Sequence, residues 1–158
     1  MQGKHGRLFS FQVVYALALH VVDRHVSSMT VNVVPHNPDW GQAFAAEAQA
    51  ITSALGPEGI TLHHIGSTSI KGILAKPIID LLGVVPSLDD LDSKTHMAER
   101  LGYEAMGAFG IEGRRYFRKF NAVKERTHHL HVFADGSAHI ERHLAFRDYL
   151  RRHPKVAG

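Results

Sequence analysis

The segment HHIGSTSIKGILAKPIIDLLGVV, residues 63–85, decides the fold of this chain. Its first residues belong to Ile60–Ile65, which predicts a β-strand, and the turn Gly66-Ser67-Thr68-Ser69 follows at once. The apolar run Pro77–Val85 is broken by only one carboxylate and one glycine, which is typical of a buried central strand. The segment therefore predicts two strands separated by a polar turn.

The Gly-Ser turn and Asp80 are the strongest sign of chemistry in the chain. A Gly-Ser turn directly after a strand exposes backbone N–H groups and a hydroxyl, which can hold phosphate oxygens. A lone Asp within an apolar strand is costly to bury unless it is hydrogen-bonded, ion-paired or bound to a cation. Asp80 therefore either binds a cation or substrate, or caps the turn or pairs with Lys76 or an arginine; the two features together favour binding.

The remaining segments predict an α+β domain with a mixed β-sheet flanked by helices. Capping residues and apolar spacing mark the helices, and alternation of polar and apolar residues marks the strands. The predicted elements are a strand over Val31–Val34, a helix capped by Asp39 and ended by Gly56, a helix from Ser87 to Leu101, paired antiparallel strands over Arg115–Phe120 and Thr127–Phe133, and a helix over Ala138–Arg152.

A second candidate group lies in the stretch THHLHV, residues 127–132. Alternate side chains of a strand share a face, so His129 and His131 point to the same side of the predicted sheet. Two imidazoles placed in this way can bind a metal ion, contact phosphate or transfer a proton. They can equally be structural residues that are hydrogen-bonded in place. His63 and His64 would add a ligand if their strand lies beside this one.

Length and composition limit the classes of protein to which the chain can belong. Its 158 residues are 44% hydrophobic and 21% charged, which fits one soluble globular domain. This composition excludes a disordered acidic tail, a collagen-like fibre and a coiled coil. The absence of cysteine excludes disulfides, thiolate zinc sites, iron–sulfur clusters and cysteine nucleophiles. It is compatible with a reducing cytosol, and we expect a cytoplasmic protein.

Positive charge is concentrated in the last third of the chain. Residues 1–113 hold seven Lys or Arg and eleven Asp or Glu, whereas residues 114–158 hold eleven and four. This asymmetry favours an anionic partner such as phosphate, a nucleotide or RNA, although a solvated basic face produces the same counts. Arg115 and Lys119 share a strand face and can both reach one anion, and Arg147 lies on the last helix.

Residues 1–28 look like an addition to the domain. Lys4 and Arg7 precede an apolar run over Leu8–Val22, which is shorter than the roughly 20 residues of a membrane-spanning helix. No clear signal-peptide cleavage site follows, and the helical spacing of the apolar residues favours an amphipathic helix. We therefore expect an N-terminal extension over residues 1–28, a domain over residues 29–158 and no membrane association.

These motifs, in this order, resemble those of the GrpB family, a group assigned to the nucleotidyltransferase superfamily fold. The resemblance runs from about Val31 to the end of the chain. It implies a nucleotidyltransferase-like fold with its site at the Gly-Ser turn. The stretches that carry the resemblance are VVPHNPDW (33–40), HIGSTS (64–69), AKPIID (75–80), LGY (101–103), THHLHV (127–132) and LAFRDYLRRHP (144–154).

The resemblance also implies a set of site residues. The superfamily motif places a second carboxylate two residues after the first, but this chain has Leu82 there, so the usual two-metal chemistry lacks a ligand. The implied metal ligands are Asp80, His129 and His131, which would hold one divalent cation. The same three residues would be the catalytic residues. Mg²⁺ or Mn²⁺ is expected ahead of Zn²⁺. The implied phosphate contacts are Gly66, Ser67, Ser69, Lys76, Arg115, Lys119 and Arg147.

The function that the resemblance implies is binding of a nucleotide or another phosphate compound together with the cation. Nucleotidyl transfer to an acceptor that the sequence does not identify would be the reaction. The alternative is a non-catalytic module that has lost the second metal carboxylate and binds a nucleotide or RNA. A histidine-based metal hydrolase is a third hypothesis, in which activity follows bound Zn²⁺ and does not need Ser67.

Overall fold

Residues 32–157 are described by the structure, a computed structural model. Its strands are β1 (Thr61–Ile65), β2 (Ile79–Val85), β3 (Tyr103–Ala105), β4 (Arg114–Phe120) and β5 (Arg126–Ala134). They form one sheet in the order β1-β2-β5-β4-β3. The β2–β5 pair is parallel and the other three pairs are antiparallel. The predicted α+β class with a mixed sheet is therefore confirmed.

The helices lie before, between and after these strands. They are α1 (Trp40–Leu55), α2 (Leu88–Ser93), α3 (Thr95–Arg100), α4 (Ala138–Arg152) and α5 (Pro154–Ala157). Within residues 32–157, no helix is long and apolar enough to cross a membrane. The predicted extension over residues 1–28 lies outside the described residues, so its helix and its boundary with the domain stay predictions.

The pleat of the sheet sorts its side chains onto two faces. Face A is the side that carries Leu81, Phe117 and Leu130, which are buried in the main apolar core together with residues of α1, α2 and α3. Face B is the opposite side. There Leu82 and Phe133 form a smaller apolar cluster, against which α4 packs. Residues that alternate with the core residues of face A therefore emerge on face B.

The start of α1 differs from the prediction in its capping residue. The helix begins at Trp40 and ends before Gly56, as expected, but Asp39 has helical backbone angles and its side chain makes no capping hydrogen bond. Asn37 takes this role instead, because its side-chain oxygen accepts a hydrogen bond from the Asp39 N–H at 2.9 Å.

The single helix predicted from Ser87 to Leu101 is wrong, because the chain breaks it into α2 and α3 at Lys94. Ser87 caps α2 as expected, accepting a hydrogen bond from the Asp90 N–H at 3.3 Å. The hydroxyl of Ser93 donates to a backbone carbonyl of the preceding turn, and that of Thr95 does the same. Such hydroxyl-to-carbonyl bonds compete with the helical hydrogen bonds.

Two short strand segments also depart from the prediction. The strand expected over Val31–Val34 is wrong: within the described residues only Val34 pairs, through an isolated antiparallel bridge to Ala75. Pro35 follows directly and has no N–H to continue a ladder. The edge strand β3 was not predicted, since its three residues are too few to show a period.

Candidate functional site

Asp80 and two histidines form a cluster on face B. Asp80 on β2 pairs in register with His129 on β5. Nδ1 of His129 lies 3.1 Å from Oδ1 of Asp80 and donates a hydrogen bond to it, and Nε2 of His131 lies 3.7 Å from the same oxygen. One ligand atom from each residue lies within 4.8 Å of the other two. We call these three residues the Asp80 cluster.

The Asp80 cluster holds a negative charge and two unused ring nitrogens. Burial alone would raise the pKa of Asp80, but the hydrogen bond from His129 and the nearby imidazole of His131 outweigh it and lower the pKa to about 2. Nε2 of His129 and Nδ1 of His131 are buried and have no hydrogen-bond partner within residues 32–157. Buried polar atoms are normally hydrogen-bonded, so each ring has one nitrogen facing Asp80 and a second nitrogen without the usual partner.

The donor set of the Asp80 cluster fits one divalent cation. Around an ion with bonds of about 2.0–2.1 Å, neighbouring ligand atoms are about 3.0–3.4 Å apart, close to the 3.1 and 3.7 Å between the histidine nitrogens and Asp80. Mg²⁺ prefers oxygen ligands, whereas imidazole nitrogen suits Zn²⁺. Two nitrogens and one carboxylate therefore favour Mn²⁺ or Zn²⁺ over Mg²⁺ on chemical grounds.

Leu82 removes the place for a second cation. It stands on face B two residues after Asp80, and its side chain is fully buried with Ile65 and Phe133. The position of the second motif carboxylate is thus part of the apolar core. The residues present fit one ion and not the usual pair.

Gly66 brings the Gly-Ser turn directly against Asp80. Its backbone, with φ 74° and ψ −177°, is in a region that essentially only glycine adopts. A Cβ at this position would overlap the carboxylate oxygen Oδ2 of Asp80. The turn and the carboxylate, which are separated in the sequence, therefore meet at one point.

The two predicted serine ligands of the turn differ in availability. The hydroxyl of Ser69 donates to the carbonyl of Gly66 at 2.6 Å, so it stabilises the turn. The hydroxyl of Ser67 makes no hydrogen bond within the described residues, and the side chain is partly exposed. Of these two hydroxyls, that of Ser67 is the one free to meet a ligand.

Two arginines of α4 brace the turn from outside. Nη1 of Arg147 donates to the carbonyl of His64 at 3.2 Å, and Nε of Arg151 donates to the carbonyl of Ser69 at 3.0 Å. Arg147 also pairs with its neighbour Asp148 at 2.9 Å. The structure thus brings Arg147, a predicted phosphate contact, to the strand that leads into the turn.

The structure does not bring Arg115 and Lys119 to the Asp80 cluster. Both lie on face A, as their register with β5 requires. Arg115 pairs with Asp92 at 2.7 Å, and Lys119 pairs with Glu47 at 2.9 Å. Their charges are balanced by carboxylates on the opposite side of the sheet from Asp80, so we leave them out of the proposed site.

Lys76 lies on the exposed loop before β2, and its side chain makes no hydrogen bond or ion pair within the described residues.

His63 and His64 do not join the Asp80 cluster. His64 points to face A, where it stacks on Phe44 at 4.8 Å and bonds Oγ1 of Thr68 at 2.9 Å. Strand β1 pairs with β2 and not with β5, which keeps both histidines away from the pair on β5.

Sequence reasoning missed the neighbours of the cluster on β4. Tyr116 pairs in register with His131 and stacks on its ring at a centroid distance of 5.2 Å. Arg118 pairs in register with His129. Alternation along β4 puts Tyr116 and Arg118 on one face, but only the register with β5 shows that this face carries Asp80.

Acidification is expected to weaken the fold through His64. Burial and the nearby Arg151 guanidinium lower the pKa of His64 to about 4 from an ordinary 6.5. The unfolded chain therefore binds one proton more than the folded chain between these values, and the free energy of unfolding falls by roughly 3 kcal/mol as pH drops through that window. Urea denaturation from pH 7 to pH 4 measures this slope.

The variant His64→Gln should lose this part of the slope, because glutamine does not titrate and keeps hydrogen-bonding capacity for Thr68. The exposed His96 offers a matched control, and His96→Gln should retain the slope. His143, whose pKa burial also lowers to about 4, contributes with the same sign and persists in both variants. An unchanged slope in His64→Gln would contradict the assignment.

Comparison with known proteins finds a family model that matches this chain and proteins that are similar to it. A family model described as GrpB protein matches residues 30–158. The UPF0157 protein YqkA of Bacillus subtilis is 45% identical over 127 residues, which cover 80% of this chain and 36% of that protein. The chain therefore spans only about a third of the length of this relative.

Solved structures agree on the fold. The crystal structure of the conserved protein GrpB from Enterococcus faecalis has a TM-score of 0.75 and 45% identity, covering 80% of this chain and 76% of that one. The Cid1 poly(U) polymerase bound to MgATP has a TM-score of 0.51 and 12% identity, covering 75% and 39%. At that identity the second likeness concerns the fold alone, and it confirms the nucleotidyltransferase-like architecture.

Proposed function

Because this chain belongs to the GrpB family, we propose that the Asp80 cluster and the Gly66–Ser69 turn together bind one divalent cation and a nucleotide or another phosphate compound. The contact between Gly66 and the Asp80 carboxylate carries the proposal. It puts a turn suited to phosphate oxygens beside a donor set suited to a cation. The fold shared with Cid1, a polymerase seen with MgATP, supports it as an analogy.

Each residue of the proposed site has a distinct role. The Ser67 hydroxyl and the backbone N–H groups at the start of the turn hold phosphate oxygens, whereas the N–H of Ser69 is already bonded to the carbonyl of Gly66. Asp80 is ionised at neutral pH and supplies the anionic ligand, and His129 and His131 supply nitrogen ligands. When bound, the cation would neutralise phosphate charge and polarise a phosphoryl oxygen. Arg147 positions the turn through its bond to the carbonyl of His64.

Nucleotidyl transfer is the reaction that we propose for this site. In that reaction an acceptor hydroxyl attacks the α-phosphorus of a nucleoside triphosphate, its proton leaves to solvent, and the bond to the departing pyrophosphate breaks.

A second candidate, a non-catalytic nucleotide- or RNA-binding module in the cytoplasm, is favoured by one observation, the apolar Leu82 at the second carboxylate position. Pyrophosphate release separates the two, and strongly salt-dependent polynucleotide binding would favour the RNA-binding form.

Thermal unfolding tests the binding proposal. The chain is unfolded with each nucleoside triphosphate in the presence of Mn²⁺, Mg²⁺ or a chelator. A ligand that binds only the folded state adds about 2.7 kcal/mol of stability at a hundred times its Kd, so we expect a cation-dependent rise in Tm.

The rise should vanish in Asp80→Asn, which removes the ionised ligand while keeping the size of the side chain. Asp135→Asn changes an exposed carboxylate just after β5 and should leave the rise intact. A folded wild-type chain that shows no shift with any triphosphate would contradict the proposal.

A further inference from the structure

Arg118 lies in the same cross-sheet row as Asp80. The register pairs Asp80 with His129, His129 with Arg118, and Arg118 with Glu104 on the edge strand β3. All four side chains are therefore on face B. Because neighbouring strands are about 4.8 Å apart, the backbone of Arg118 lies about 10 Å from that of Asp80, with His129 between them.

The present partner of Arg118 is a carboxylate that a ligand can replace. Arg118 makes two hydrogen bonds to Glu104, of 2.9 and 3.1 Å, and the side chain of Glu104 is 53% exposed. Exposed pairs of this kind contribute little to stability. Phosphate accepts the same two-pronged contact from a guanidinium and carries more charge. Glu104 thus holds the Arg118 guanidinium at the β3 side of face B, where it also lies over the Phe120 ring at 5.4 Å.

A second cation reinforces this part of face B. Arg126 is exposed, and its charge acts on both Glu104 and Tyr116. Helix α4 packs on β1 and β2 and reaches the cluster from that side, where His143 stacks on His131 at a centroid distance of 6.1 Å. The strip of face B from His129 to β3 therefore carries two arginines, Arg118 and Arg126, and one carboxylate, Glu104. The net positive charge of these three side chains favours binding of an anion.

We propose that Arg118 contacts the phosphate chain of the nucleotide bound at the Asp80 cluster and the Gly66–Ser69 turn. The proposal rests on the proposed function and adds a residue to its site. A span of about 10 Å between the two ends of the row suits a chain of phosphates. A single phosphate ion bound at the Gly66–Ser69 turn would lie on the far side of His129 from the Arg118 guanidinium, which is bonded to Glu104 on β3.

Calorimetric titration of the chain tests this assignment. The probes are ATP with Mn²⁺, inorganic phosphate with Mn²⁺, and Mn²⁺ alone. Loss of a two-pronged charged hydrogen bond should weaken ATP binding by Arg118→Ala about tenfold or more. The affinities for Mn²⁺ and for inorganic phosphate should be unchanged. Glu104→Gln frees the guanidinium and should bind ATP as tightly as the wild type or a few times tighter.

The opposite responses of these two variants distinguish ligand contact from a structural ion pair, which would make both variants equally defective. Arg115→Ala is a matched control, because Arg115 makes the same kind of pair with Asp92, at 2.7 and 2.8 Å, on the same strand but on face A. It should bind ATP normally. Wild-type affinity in Arg118→Ala, or an equal loss in Arg115→Ala, overturns the proposal and leaves the proposed function intact. Failure of the wild type to bind ATP or any other nucleoside triphosphate overturns both.

Discussion

Gly66→Ala is expected to lower the free energy of unfolding by roughly 2–4 kcal/mol and to abolish cation-dependent nucleotide binding. Two costs combine. A residue with a Cβ is strained at φ 74° and ψ −177°, by about 1–3 kcal/mol. The added methyl group also overlaps the Asp80 carboxylate, and its distance to Cβ and Cγ of Asp80 would be only 2.9 Å. The Asp80 carboxylate must then leave its present position in the cluster.

Gly72→Ala separates these two costs. Gly72 also has a positive φ, 80°, but a Cβ there would have no atom within 4 Å. This variant should lose stability through backbone strain alone and should bind the ligand normally. Urea denaturation and the nucleotide-induced shift in Tm provide the two readouts. If Gly66→Ala were as stable as Gly72→Ala and still bound ATP with Mn²⁺, the close contact between the turn and Asp80 would not be required for stability or for ligand binding.

Leu82→Asp should be the most destabilising single change at this face, with a loss of roughly 4 kcal/mol or more. Truncating a buried leucine costs about 2–5 kcal/mol, and a carboxylate without a partner adds its desolvation cost. Leu82 is fully buried between Ile65 and Phe133. Since small domains have only about 5–15 kcal/mol of stability, this variant should unfold at a much lower urea concentration.

Two further substitutions isolate the effect of charge at this position. Leu82→Met keeps the volume and should cost under about 1.5 kcal/mol, whereas Leu82→Asn has the size of the Asp variant without its charge. We expect the order Met, Asn, Asp in increasing loss at pH 7. A Leu82→Asp variant as stable as Leu82→Met that binds two Mg²⁺ ions would show that the site is built for the two-metal arrangement.

The parts of the site that follow from local periodicity could be predicted from the sequence. The apolar run around Asp80 identified β2, and the twofold repeat of a strand put His129 and His131 on one face. The glycine of the turn was also identified beforehand. These features depend on residues close together in the chain.

The parts of the site that depend on pairing between distant strands could not be predicted from the sequence. Asp80 meets His129 because β2 pairs with β5 in parallel, although the two residues are 49 positions apart. Arg115 and Lys119 do share a face, as predicted, but the register with β5 determines which face it is. A shift of one residue in the register of β4 against β5 would move both side chains to the opposite face. No local sequence pattern specifies this register.

Pulsed electron paramagnetic resonance of bound Mn²⁺ tests the central claim most directly, because it detects nitrogen nuclei that are coupled to the ion. With ATP present, the wild-type chain should show coupling to imidazole nitrogen and to phosphorus. The imidazole nitrogen coupling should be lost in Asp80→Asn and kept in Asp135→Asn, whereas phosphorus coupling also arises from MnATP in solution and does not separate the two variants. Mn²⁺ that shows phosphorus coupling but no nitrogen coupling in the wild type would contradict a cation site at Asp80, His129 and His131.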